Sequence, residues 1–212
     1  MWFPSIVALV VGGADAAESV GETTLGVRLS GESLQDPYLA AAYTAEGLGG
    51  ELTASVPLPK HLSWRVSVGY HRRGGFKQST TGDATTLTSW LMYIPVSAPV
   101  YYDIHAGSAA VGVGLGPAYV VFAEPAEVFE EGEAYYGRKQ SGGKFALVAE
   151  MEARLATNMV SRSLHAPDEG ARRLDVVVTA GYRLAARHLN PANHEGLSFS
   201  AVRLGVGLEL VY

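Results

Sequence analysis

The 212-residue chain contains no cysteine. That excludes a disulfide scaffold, thiol chemistry and thiolate metal sites, and leaves the compartment open. Charge is scarce: charged residues make up 17% of the chain against 48% apolar, and the net charge is −5. There is no electrostatic case for nucleic acid. No apolar run of about 18 or more residues follows the first segment, so no membrane helix is predicted. The opening stretch also lacks Lys or Arg near Met1. It otherwise has the form of an export signal, with a short apolar run, Ile6 to Val11, and Ala14-Asp15-Ala16 as an A-x-A cleavage site. The expectation is a leader over residues 1–17 and one domain over residues 18–212.

What the chain has instead is alternation. Backwards from the end, Tyr212, Leu210, Leu208, Val206, Leu204 and Val202 form one register. Val211, Glu209, Gly207, Gly205, Arg203 and Ala201 form the other. Period two means a strand with two unlike faces. The same pattern recurs at Thr23–Ser30, Gly49–Leu58, Leu62–His71, Leu87–Ile104, Ala109–Phe122, Lys144–Leu155 and Leu174–Leu184. Pro95 and Pro99 each remove a ladder donor, so the Leu87–Ile104 run is predicted to be bent or frayed.

Eight runs in one chain predict an all-β fold, an eight-stranded antiparallel up-and-down transmembrane barrel. With both ends on the inner side, the inner connections are 58–61, 105–108 and 156–172. The outer ones are 31–48, 72–86, 123–143 and 185–198. The first two inner turns are short as such a barrel requires; 156–172 is long for one.

The alternation also sorts charge. Arg28, Glu51, Arg65, His71, Asp103, Glu150, Glu152, Arg154, Asp175, Arg183, Arg203 and Glu209 all fall in the non-greasy register, and no charge within these runs falls in the greasy one. An Arg or Lys facing lipid at the midplane costs about 2–4 kcal/mol, so this sorting suits an apolar outside and a polar lumen. A soluble, lipocalin-like barrel would reverse it, and would place Gly112, Gly114, Gly116, Gly205 and Gly207 uselessly on the solvent face. In a narrow lumen those glycines make room for the arginines. Five arginines and six carboxylates in one bore should pair, filling the lumen. Trp64, Tyr102 and Tyr212 fall toward the inner membrane interface, and Tyr70, Trp90, Tyr119, Phe145 and Tyr182 toward the outer one.

On these residues the chain resembles the small outer-membrane β-barrels of Gram-negative bacteria: the OmpA transmembrane domain, OmpX, the outer-membrane protein W family and the opacity-type barrels. Ile94-Pro-Val-Ser-Ala-Pro-Val-Tyr-Tyr-Asp-Ile104 followed by Val111-Gly-Val-Gly-Leu-Gly116 is similar to their Pro…Tyr-Tyr strand and the Gly-rich strand after it. Many relatives have Pro-Tyr-Val-Gly where this chain has Ala109-Ala-Val-Gly. The resemblance implies an outer-membrane location, contact with membrane lipid and lipopolysaccharide, and a monomer. It also implies that the last strand, with Leu204, Val206, Leu208, Leu210 and Tyr212, is read by the assembly machinery.

The implied role is structural or surface interaction through external loops. A narrow channel or carrier for small or apolar solutes is the alternative, and a lipid A-modifying enzyme the third reading. The chain carries no cofactor motif: Gly112-Val-Gly-Leu-Gly-Pro has its glycines at period two and no following helix. Arg187-His188-Leu-Asn190 is similar to the His-x-Ser-Asn segment of lipid A deacylases, but Asn190 stands where the nucleophilic serine is required. Ser198 and Ser200 have the wrong spacing to replace it. His188, His194 and Glu195 match no metal spacing, and the acidic stretch 124–133 reads as a solvated loop. No catalytic or metal residue is assigned.

Overall fold

A computed structural model describes residues 22–43, 46–78, 84–124, 140–157, 173–185 and 198–212. The strands are β1 (Thr24–Leu34), β2 (Glu46–Leu58), β3 (Leu62–Gln78), β4 (Ala84–Ser97), β5 (Val100–Ala106), β6 (Ala109–Glu124), β7 (Gln140–Thr157), β8 (Arg173–Ala185) and β9 (Ala201–Val211). One short helix, α1 (Pro37–Ala42), follows β1. Every pairing is antiparallel; strands pair with their sequence neighbours except around β4 and β5, and β1 pairs with β9 from Thr24↔Val211 to Leu34↔Ala201. The sheet is therefore closed and has no free edge.

Nine strands make eight staves because β4 and β5 share one. Both pair with β3 on one side and β6 on the other. The break falls at Ala98-Pro99, where proline has no N–H to give the ladder. The backbone mends itself around the gap: Arg65 N donates to Pro99 O at 3.0 Å, and Ala98 N to Pro117 O at 3.0 Å. A Cβ at Gly116 would meet backbone atoms of Pro99 and Ala98, so this close approach requires glycine.

The short turns lie at one end, with the start of β1 and the end of β9. Lys60 and His61 turn β2 into β3 at φ 64° and 59°, and Gly107 turns β5 into β6 at φ 61°. At the other end the strands run further than the alternation reading placed them. β1 continues to Leu34 and β3 to Gln78, while β4 begins at Ala84. Residues 72–78 and 84–86 of the expected loop 72–86 are thus strand, and the expected loop 31–48 is partly strand and partly α1. Apart from β5, which has 7 residues and shares its stave with β4, the strands run 11 to 18 residues, at or beyond the roughly 9–11 needed to cross a bilayer. Beyond the apolar band only pairing is required, so the polar, Gly-rich sequence there still forms ladder. The closing strand starts at Ala201 rather than Ser198. Residues 1–17, 158–172 and 188–195, and the acidic stretch beyond Glu124, lie outside the described residues.

The burial pattern is inverted relative to a soluble protein. Leu29 is 69% exposed, Phe145 76% and Leu204 62%, while Arg183 and His71 are fully buried. No helix among the described residues is long and apolar enough to cross a membrane; the crossing is made by strands.

Candidate functional site

The pleat sends alternate residues of each stave into the bore, and their charges meet in its lower and middle levels. Near the short-turn end, Asp103 on β5 accepts from Ser63 at 2.5 Å, Arg65 at 2.8 Å and Arg154 at 2.9 Å. Glu152 on β7 is paired with Arg28 at 2.6 Å, with Arg154 at 2.8 Å and with Arg65. Arg28 also reaches Glu209 on β9. Arg65 lies over the Tyr101 ring, 3.8 Å from its centroid, and the Tyr101 hydroxyl donates to Glu150.

The next level is built on Glu32. Arg183 grips it with two parallel bonds, 3.0 and 2.8 Å. Arg203 Nε lies 2.9 Å from it, and the Tyr93 hydroxyl donates to it at 2.9 Å. Arg203 then spans to Glu150 at 2.6 Å and to Glu51. Arg73 donates to the Glu32 carbonyl and, at 3.1 Å, to Tyr93 Oη. His71 stacks on Tyr93 with centroids 4.9 Å apart and faces Glu32 and Glu51 at 3.6 and 3.9 Å.

Six arginines (28, 65, 73, 154, 183, 203) thus face six carboxylates (32, 51, 103, 150, 152, 209). Every stave supplies a network member except β6, which supplies space. A Cβ at Gly114 would strike the Tyr101 ring, and one at Gly112 would strike Asp103. The glycines were expected to make room for arginines. That describes Gly207 beside Arg28, but the β6 glycines accommodate an aromatic ring and a carboxylate.

The sequence-derived residues fall as follows. Arg28, Glu51, Arg65, His71, Asp103, Glu150, Glu152, Arg154, Arg183, Arg203 and Glu209 converge in the bore. Asp175 sits apart at the short-turn end, bonded to Arg173 at 2.6 Å. Leu204, Val206, Leu208 and Tyr212 face outward, with Leu210 in the same register. Glu32 and Arg73 were missed because both fell in segments read as loops. The signal was present: Glu32 continues the register of Arg28 and Ser30, and Arg73 that of His71.

At the end opposite the short turns the bore turns apolar. Leu34, Leu91, Val120, Phe122, Val148, Ala185 and Ala201 line it, and Leu39 of α1, Tyr43 and Phe199 fill it. Phe199 packs against Phe122 and Tyr93 with centroids at 4.7 and 5.7 Å. Asp36 holds this cap shut. One carboxylate oxygen caps α1 by accepting from Leu39 N at 3.1 Å; the other accepts from Ser198 N at 2.9 Å. Ser198 and Ser200 bond each other here at 2.9 Å.

One group of metal-type ligands occurs among the described residues, Glu32, Glu51 and His71. Arg183 and Arg203 already hold its carboxylates, and their charges oppose a cation.

Apolar residues outside, charges inside and a sheet without edges define a transmembrane β-barrel. Solved structures agree on the fold. OprG from Pseudomonas aeruginosa superposes with a TM-score of 0.53 at 9% identity, covering 91% of this chain and 96% of that one. A major outer membrane protein from Thermus thermophilus gives 0.51 at 13%, covering 90% and 99%. Ail, the attachment invasion locus protein of Yersinia pestis, solved with the heparin analogue sucrose octasulfate, gives 0.50 at 13%, covering 91% and 99%. No protein-family model and no curated protein matches the sequence.

Proposed function

We propose that this is an exported, monomeric outer-membrane barrel with a closed lumen that acts through its external segments, as a structural or surface-interaction protein. The observation that carries this reading is the balanced network of six arginines and six carboxylates across the bore. A solute would have to break several buried ion pairs at once, and removing one partner of such a pair costs about 3–5 kcal/mol. On this reading residues 1–17 are a removed leader, the outward-facing last strand is the segment recognised during assembly, and the protein is not an enzyme. The long-strand end faces outward, because outer-membrane barrels keep short turns on the periplasmic side.

The test is planar-bilayer recording of refolded residues 18–212. Absence of steady conductance at neutral pH is expected; a large, steady open state would overturn the closed-lumen reading. A second reading, a narrow channel or carrier for small or apolar solutes, is favoured by the apolar lining of the bore around Phe199 and Leu39. It predicts saturable binding of an alkyl probe that weakens when Ala185 or Ala201 is enlarged.

A further inference from the structure

His71 on β3 is fully buried in the bore and held from both sides. Its cross-strand partners are Gly49 on β2 and Tyr93 on β4. Tyr93 stacks on one face of the imidazole, with centroids 4.9 Å apart and planes 4° from parallel. Gly49 lies against the other face: a Cβ there would meet Nδ1, Cε1 and Cγ of the ring. An imidazole wedged in this way cannot swing out of the ion network.

The two ring nitrogens face different surroundings. Nδ1 is buried without a hydrogen-bond partner. Nε2 faces Ser30 Oγ at 3.5 Å, Glu32 at 3.6 Å and Glu51 at 3.9 Å. Both carboxylates are already committed. Glu32 accepts two bonds from Arg183 and one from Tyr93, and lies 2.9 Å from Arg203 Nε. Glu51 is held by Arg203. The groups around the imidazole are thus Glu32 from β1, Glu51 from β2, Tyr93 from β4, Arg183 from β8 and Arg203 from β9. Arg73, of its own strand, donates to Tyr93 Oη, and β7 contributes Glu150 on the far side of Arg203.

A neutral imidazole suits this place. A proton would make both ring nitrogens donors, and a buried Nδ1–H without an acceptor is costly. It would also set a further cation beside Arg183 and Arg203, in a bore whose arginines already match its carboxylates. An unmatched charge in low dielectric is strongly unfavourable. We propose that His71 makes the ion network acid-sensitive: the network holds with a neutral imidazole, and protonation of His71 loosens it. A loosened or unfolded chain charges this histidine as pH falls through about 6.5. The stabilisation is therefore present above that pH and lost below it. The inference concerns the network itself and does not depend on whether the lumen conducts.

The test is urea unfolding of the full chain, refolded in lipid vesicles, at about pH 7.5 and about pH 5.5, the range across which histidine charges. The parent is compared with His71→Gln, which takes no proton, so groups that titrate in both proteins cancel. For one histidine charged only outside the closed network, the parent's unfolding constant should rise about tenfold relative to that of His71→Gln between those pH values. His105→Gln, near the short-turn end, should follow the parent. A parent-to-variant ratio that stays constant overturns the proposal. So does a ratio that falls, which would mean that imidazolium pairs with Glu32 or Glu51, and so does an equal loss of pH response in His105→Gln. Histidine NMR of the folded parent in micelles needs no variant to fold. Of the six imidazoles in the chain, at least one should keep its neutral signal at about pH 5.5; titration of all six overturns the proposal.

Discussion

The middle of the bore and the end opposite the short turns are filled by opposite physics. The middle holds ion pairs whose members come from regular strand positions on seven staves. The end holds an apolar cluster in which Leu39, Tyr43 and Phe199 lie off the strands. Charges buried together hold one arrangement strongly, because each loss strands a partner in low dielectric. Apolar packing degrades more gradually with lost volume. The middle is thus the rigid brace, and the cap is the part that can be reshaped.

Substitutions can separate the two. The largest effect is expected from Glu32→Ala, which leaves Arg183 and Arg203 without their shared partner. A loss of about 4 kcal/mol in urea unfolding from lipid vesicles is expected; a loss below about 1 kcal/mol would mean that water or neighbouring carboxylates replace it. Phe199→Ala in the cap should cost about 3 kcal/mol by the same assay, and the conductance of the middle should stay closed. If this variant conducts steadily, the cap and not the ion network is the barrier.

Gly114→Ala pushes a methyl into the Tyr101 ring and should cost about 1–3 kcal/mol. Gly50→Ala, which points into open space, should stay within about 0.5 kcal/mol. Equal effects would refute the role given to the β6 glycines. The smallest effect belongs to the latch. Asp36→Ala removes a helix cap worth about 1 kcal/mol. Because the chain has no other cysteine, Leu39→Cys can report on it by maleimide labelling. The thiol should react slowly with Asp36 present and severalfold faster without it; unchanged rates would show that Asp36 does not hold α1.

Alternation made the barrel and the inward direction of most charges legible, because a pleat exposes every second residue to the same face whatever the partner strand. Arg28, Glu152 and Arg203 could be assigned to the bore with no coordinates. Glu32 and Arg73 obeyed the same rule and were hidden only by polar, Gly-containing neighbours that resemble loop.

Sequence by itself determined the closed β architecture, the apolar outside and the charged inside, since these follow from a two-residue period and the cost of charge in lipid. Only tertiary structure decided which charges meet. That Arg183 takes Glu32, 151 positions away, and that Asp36 clasps Ser198, 162 positions away, depends on strand stagger around a closed barrel. Stagger is a property of the whole ring, and no local pattern encodes it.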